Sequence, residues 1–122
     1  MEFKPKRIFI DCDETICRTP LQQTYHQGGR DYGLAEPISD NIEKANQLYS
    51  QGHQITYWTA RGTATGIDWY SETKQQLDRW GVLYHQLLMG KPNFDLLIDD
   101  KTLNSIHHWP DNQIVDKVLM PY

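Results

Sequence analysis

Arg7-Ile8-Phe9-Ile10-Asp11-Cys12-Asp13-Glu14-Thr15 decides the fold of this chain. Its β-branched and aromatic run suits a buried strand, and it stops abruptly at an Asp-x-Asp-x-Thr triplet. Two carboxylates about 4 Å apart repel by roughly 4 kcal/mol at an effective dielectric near 20, so the pair calls for a compensating cation or a chemical task. A second apolar run, Asp95-Leu96-Leu97-Ile98, ends in the same way at Asp99-Asp100. If the two runs are parallel neighbours in one sheet, Asp11, Asp13, Asp99 and Asp100 converge at its C-terminal edge. That is the outline of a metal-assisted site.

The sequence between them alternates in period. From Ile16 to Glu36, with Gly28-Gly29 and Gly33, it is polar and turn-rich, which reads as a loop or irregular hairpin over the site. Pro37 opens a helix with Ile38, Ile42, Ala45, Leu48 and Tyr49 at helical spacing, and Gly52 stops it. Gln54 to Thr59 is the next strand. A second helix is predicted over Ile67 to Trp80, with Tyr70, Thr73, Leu77 and Trp80 on one face and Gly81 at its end. Val82 to Leu87 is a third strand and Phe94 to Ile98 a fourth. Ile106 to Pro110 reads as a turn or short helix, and Ile114 to Met120 as a last strand or helix. Strands alternating with helices predict an α/β domain around a central parallel sheet, whose reactive groups gather at the carboxyl ends of the strands. Asp11, Thr59 and Asp99-Asp100 all fall at such ends.

Residues 1–122 fit one domain. Twelve basic against 16 acidic residues give a formal charge of −4, with neither a basic stripe for nucleic acid nor a Lys/Arg cluster for an anionic membrane. The N-terminus lacks the apolar stretch of a signal peptide and no apolar run is long enough to span a bilayer, so a cytoplasmic protein is expected. Cys12 and Cys17 have neither C-x-x-C spacing nor His partners, and read as reduced, half-buried thiols. Trp58, Trp69, Trp80 and Trp109 read as packing residues, and His107-His108 as a solvated pair, since adjacent side chains diverge.

The residue types point to phosphoryl chemistry. All-oxygen ligands suit Mg²⁺, which takes few protein carboxylates and completes its octahedron with water and substrate phosphate. Calcium would call for an Asp-rich loop that is absent. Lys91, in Met89-Gly90-Lys91-Pro92, can return positive charge to the pocket, and the Thr59 hydroxyl can meet a phosphoryl oxygen. An aspartate placed at phosphorus is then a nucleophile. Arg61 either touches substrate or pairs with a carboxylate.

Asp-x-Asp-x-Thr, a strand-terminal Thr, Lys and Asp-Asp, in that order, resemble the four motifs of the haloacid dehalogenase-like (HAD) phosphatases over nearly the whole chain. Ala35-Glu36-Pro37-Ile38, Thr59-Ala60-Arg61-Gly62, Trp80-Gly81-Val82, Gly90-Lys91-Pro92 and Ile98-Asp99-Asp100-Lys101 with Asn104 resemble, more closely, small members associated with capsule and lipopolysaccharide biosynthesis. The resemblance implies a three-layer Rossmann-like core in which the fourth strand lies beside the first. It implies that Asp11 forms an aspartyl-phosphate and binds Mg²⁺, and that Asp13 is the general acid and then base, with its carbonyl on the metal. Thr59 and Lys91 would bind phosphoryl oxygens, Asp99 would ligate the metal directly, and Asp100 directly or through water.

The interval from Ile16 to Ile55 has no room for a cap domain. A capless, open site is therefore expected, acting on a sugar phosphate or similar small phosphomonoester, with a homo-oligomer able to supply cover. Gln22, Gln23, Tyr25, His26, Arg30 and Tyr32 are candidate substrate contacts in the flap-like loop. A polynucleotide 3′-phosphatase fits the acidic surface less well. A receiver module that stores the phosphoryl group, or an idle regulatory domain, leaves Asp13 without a task.

Overall fold

The computed structural model describes residues 3–20 and 30–120. Strand β1 (Arg7–Ile10) runs parallel to β4 (Gln54–Trp58), which runs parallel to β5 (Gln86–Leu88), in the order β1-β4-β5. Ile8 lies opposite Ile55, Ile10 opposite Tyr57, and Tyr57 opposite Leu87. Ile55, Thr56 and Tyr57 of the middle strand are all buried, whereas Phe9 and Leu88 of the flanking strands are exposed. The α/β class and the parallel sheet are as the sequence predicts.

Parallel neighbours need a crossover, and the first contains a hairpin and a helix. β2 (Cys17–Arg18) pairs antiparallel with β3 (Glu36–Pro37), forming the base of the irregular hairpin expected over 16–36. A 3₁₀ turn, Tyr32–Leu34, precedes β3, capped by the Asp31 carboxylate on the Gly33 N–H. Gln22, Gln23, Tyr25 and His26 lie outside the described residues. Pro37 sits in β3 and does not open the helix; α1 is Ser39–Ser50. Ile42, Ala45 and Leu48, on its buried face, join Ile10, Ile16, Ile55, Leu77 and Val82 in one core. Burying each large aliphatic side chain is worth about 1.5–3 kcal/mol, so this face anchors the helix. Its C-terminal turn closes with the His53 N–H on the Leu48 carbonyl and Gly52 at φ 102°, in the left-handed region that glycine occupies without penalty.

The second crossover carries α2 (Tyr70–Arg79), three residues shorter at its start than the periodicity predicts. Gly62 and Gly66, both at positive φ, hold the preceding segment in turns, and the Asp68 carboxylate takes the Tyr70 N–H. Thr73, Gln76 and Leu77 are buried, while Tyr70 is exposed, which corrects the predicted face. The third strand is displaced as well: Val82 is a core residue following α2, and pairing starts at Gln86.

The fourth strand is corrected outright. Residues 94–98 carry no strand, and Leu96, Leu97 and Ile98 are exposed, Ile98 at 87 %. Among the described residues β1 pairs with β4 alone, so its outer edge is unpaired. The apolar content of the run reads as a strand, but a strand exists only where a partner accepts its backbone groups. Near the C-terminus, Ile114 to Met120 resolves as the short helix α3 (Gln113–Val118). Trp109 is buried beside it, with its indole N–H on Asn112 Oδ1. No helix among the described residues is long and apolar enough to cross a membrane.

Candidate active site

Asp11 follows the last residue of β1, and the chain then folds tightly on itself. The Cys12 carbonyl accepts the N–H groups of Thr15, Ile16 and Cys17 at 3.1, 2.9 and 3.3 Å, and the Glu14 N–H reaches the Cys17 carbonyl at 2.7 Å. Glu14 pays for this turn with φ 62°, a left-handed conformation costing a non-glycine residue about 1–2 kcal/mol. The result sends Asp11 and Asp13 to different partners. Asp11 Oδ1 accepts the Cys12 N–H at 2.8 Å, and its Oδ2 lies 3.4 Å from Lys91 Nζ. Asp13 instead meets Arg61, with Nε on Oδ2 and Nη2 on Oδ1, both at 3.0 Å, and Thr19 Oγ1 donates to Oδ1 at 2.8 Å.

The ends of β4 and β5 are tied by backbone bonds that continue the ladder beyond the strands. The Thr59 N–H donates to the Leu88 carbonyl at 3.0 Å, and the Lys91 N–H to the Thr59 carbonyl at 3.1 Å. Gly90, at φ 81°, makes the turn that this second bond needs. Lys91 is thereby carried across to Asp11, its ammonium 5.4 Å from the Phe94 ring centre and 6.0 Å from that of Trp58. A cavity of about 150 Å³ opens here, lined by Asp11, Ala60, Lys91, Pro92, Asn93 and Phe94. Thr59 is fully buried beside it, its hydroxyl accepting the Arg61 N–H at 3.1 Å. Gly62 cannot be anything larger, because a Cβ would lie 2.0 Å from the Ile67 carbonyl oxygen.

Burial pushes the Asp11 carboxyl above its ordinary value, against the opposing pull of Lys91 and the Cys12 N–H. Burial works to lower the Arg61 pKa, but the hydrogen bonds and charge of Asp13 outweigh it and raise the pKa overall. The thiol of Cys17 is pushed up to about 12 by burial and by the Asp13 charge, and burial drives Cys12 well up too. Both cysteines are free and fully buried, not half-buried as the sequence suggests. They are thiols at neutral pH and poor nucleophiles.

Lys91 reaches Asp11 and its N–H is bonded to the Thr59 carbonyl, while Asp13 is paired with Arg61. Asp99 and Asp100 do not join them. They are exposed and bonded to each other, the Asp100 N–H on Asp99 Oδ1 at 2.6 Å, and hydrogen bonds from Asp100 lower the Asp99 pKa. Among the described residues no three His, Cys, Asp or Glu side chains converge as a metal ion needs. The donor set Asp11, Asp13, Asp99 and Asp100 expected for Mg²⁺ is therefore incomplete in this arrangement, because the segment leading to Asp99 is not in the sheet.

Other residues had no place in the sequence reading of the site. Thr73 and Gln76 of α2 accept from Arg61 Nη1 at 3.0 and 2.6 Å, and Gln76 Nε2 donates to the Tyr32 carbonyl at 2.6 Å. The Tyr32 ring lies 4.8 Å from the Arg61 guanidinium and meets Trp69 edge-on at 5.2 Å. Two polar residues three apart, next to Leu77 on a buried helix face, were the available signal, since buried amides and hydroxyls demand partners. Of the described flap candidates, Tyr32 thus packs on Arg61, and Arg30 pairs with Glu14 at 3.4 Å. Trp69 is buried as a packing residue, and His107 and His108 are exposed.

No family model matches this chain, and no curated protein matches it. In fold it is similar to a crystal structure of a target from Vibrio cholerae, with a TM-score of 0.72 and 23 % identity over 93 % of this chain and 95 % of that one. That likeness establishes a shared fold along almost the full length of both.

Proposed function

We propose that this chain is a HAD-type phosphomonoester hydrolase acting through an aspartyl-phosphate. The observation that carries the reading is Asp11, at the tip of β1 in an open cavity, 3.4 Å from Lys91 and two residues before a second, separately held carboxylate. Asp11 Oδ2 attacks phosphorus in line, forming the acyl-phosphate bond as the bond to the leaving oxygen breaks. Asp13 gives that oxygen its proton. Water then attacks phosphorus, Asp13 takes the water's proton, and phosphate departs with Asp11 restored. Lys91 offsets the charge on the transferred group, and the Thr59 hydroxyl and neighbouring backbone N–H groups orient its oxygens.

The resemblance also implies Mg²⁺, which when bound would neutralise phosphate and carboxylate charge. Its donor set closes only if Asp99 and Asp100 reach Asp11 and Asp13. The outer edge of β1, unpaired among the described residues, and the exposed apolar run 96–98 favour a metal-bound arrangement, distinct from the one described, in which 94–98 adds a fourth strand there. A cavity of about 150 Å³ and a formal charge of −4 favour a small phosphorylated metabolite, such as a sugar phosphate, over a nucleic acid. A second copy of the chain is the proposed cover for so open a site, and the cytoplasm the proposed compartment. A receiver that stores phosphate has no use for Asp13, whose two oxygens are held by Arg61 and Thr19.

The test is Mg²⁺-dependent phosphate release from p-nitrophenyl phosphate, followed by a panel of sugar phosphates and a 3′-phosphorylated oligonucleotide. Asp11→Asn should cut turnover by about 10³-fold or more. Unchanged turnover in that variant refutes the mechanism.

A further inference from the structure

Arg61 is closed to substrate by its own hydrogen bonds. A guanidinium has five N–H donors, and all of them are engaged. Nε and Nη2 hold the two oxygens of Asp13, Nη2 also reaches Cys17 Sγ at 3.4 Å, and Nη1 donates to Thr73 and Gln76. Tyr32 covers a face of the group, and the residue is only 3 % exposed. No N–H is left for a phosphoryl oxygen.

The carboxylate it grips is not closed in the same way. Oδ1 accepts from Arg61 and Thr19 and lies 3.5 Å from Cys17 Sγ, whereas Oδ2 among the described residues accepts from Arg61 Nε alone. Each carboxylate oxygen has room for about two donors, so Oδ2 keeps a lone pair. The Asp13 side chain is 17 % exposed, so it is not sealed from solvent as that of Arg61 is.

We propose that Arg61 is the positioning residue for Asp13. Its planar two-point pairing fixes the rotation of the carboxylate, so that Oδ2 and not Oδ1 gives and takes the proton. Thr73 and Gln76 in turn fix the plane of the guanidinium. A lysine would supply the charge without the plane. The inference rests on the phosphatase reading for its kinetic consequence, but the pairing itself has a separate readout.

The experiment compares the first turnover of wild type, Arg61→Lys and Thr73→Val, with Mg²⁺, on p-nitrophenyl phosphate and glycerol 2-phosphate. Nitrophenolate leaves without a proton, whereas the glycerol oxygen needs one. Misplacing Asp13 should slow the glycerol 2-phosphate reaction by about tenfold or more, leave the nitrophenolate burst nearly intact and raise neither KM value. Thr73→Val removes one acceptor and keeps the shape, so it carries the comparison in the same direction should Arg61→Lys not fold. Equal losses on both substrates would reduce Arg61 to packing, and a rise in both KM values at constant kcat would make it a substrate contact; either result overturns the proposal. Independently of activity, the Arg61 Nε–H resonance should exchange slowly with solvent and move in Asp13→Asn. An unmoved resonance overturns the pairing even if the wild type releases no phosphate, whereas a moved one with an inactive wild type sinks only the phosphatase reading.

Discussion

At the residue scale, the two aspartates of the first motif are separated by their environments. Asp11 pairs with one lysine, and burial raises its pKa above 3.8. Asp13 has the fork of a buried arginine, and removing one partner of such a pair costs about 3–5 kcal/mol. The raised pKa of Asp11 makes the folded state bind its proton more tightly than the unfolded chain does. Stability from this group is therefore greatest below its unfolded value and falls as pH rises toward the folded one. Asp11→Asn, which cannot ionise, should be more stable than wild type near neutral pH, with the gap closing toward about pH 4. Thermal midpoints across that range measure it. A variant less stable than wild type at neutral pH would show that pairing with Lys91 outweighs burial. Loss of stability at a functional group is a common feature of active sites.

At the element scale, legibility followed how much of each element's partner was local. The helix carrying Ile42, Ala45 and Leu48 was readable because its apolar periodicity names the face it buries, and the strands ending at Ile10 and Trp58 because of their β-branched and aromatic runs, although Phe9 proves exposed. The start of α2 was not. The turns at Gly62 and Gly66 and the Asp68 cap compete with a helical pattern that extends through them. Gln76 was invisible as a site residue because its partners, Arg61 and Tyr32, are 15 and 44 positions away. Residues 94–98 fail for a related reason: apolar content fixes that a segment seeks cover, while the β1 edge that would supply it is more than 80 positions distant. In the proposed metal-bound core, docking that run would bring Asp99 toward Asp11 and Asp13, which carboxylate repulsion would resist and a divalent cation would offset. Amide hydrogen exchange should therefore slow at 95–98 on adding Mg²⁺. Exchange there that is equally fast with and without the ion would count against the four-stranded core.

At the scale of the whole molecule, a three-stranded parallel sheet delivers Asp11 from β1, Thr59 and Arg61 from the end of β4, and Lys91 from beyond β5 to one edge. The first three motifs were legible as a series because each lies at or near a strand end, whereas Asp99-Asp100 follows a run that carries no strand. Their joining is three-quarters complete: the first three meet, and the Asp99-Asp100 pair stands outside. The sequence also left Arg61 between two roles, and its five engaged donors incline it toward Asp13. The central claim is that Asp11 takes the phosphoryl group. It is tested most directly by acid-quenching the protein during turnover of p-nitrophenyl phosphate with Mg²⁺ and mapping the modified peptide by mass spectrometry. Phosphate is expected on Asp11, accumulating in Asp13→Asn because hydrolysis of the intermediate is slowed. Phosphate on another residue, or turnover with none bound to the protein in either form, would contradict it.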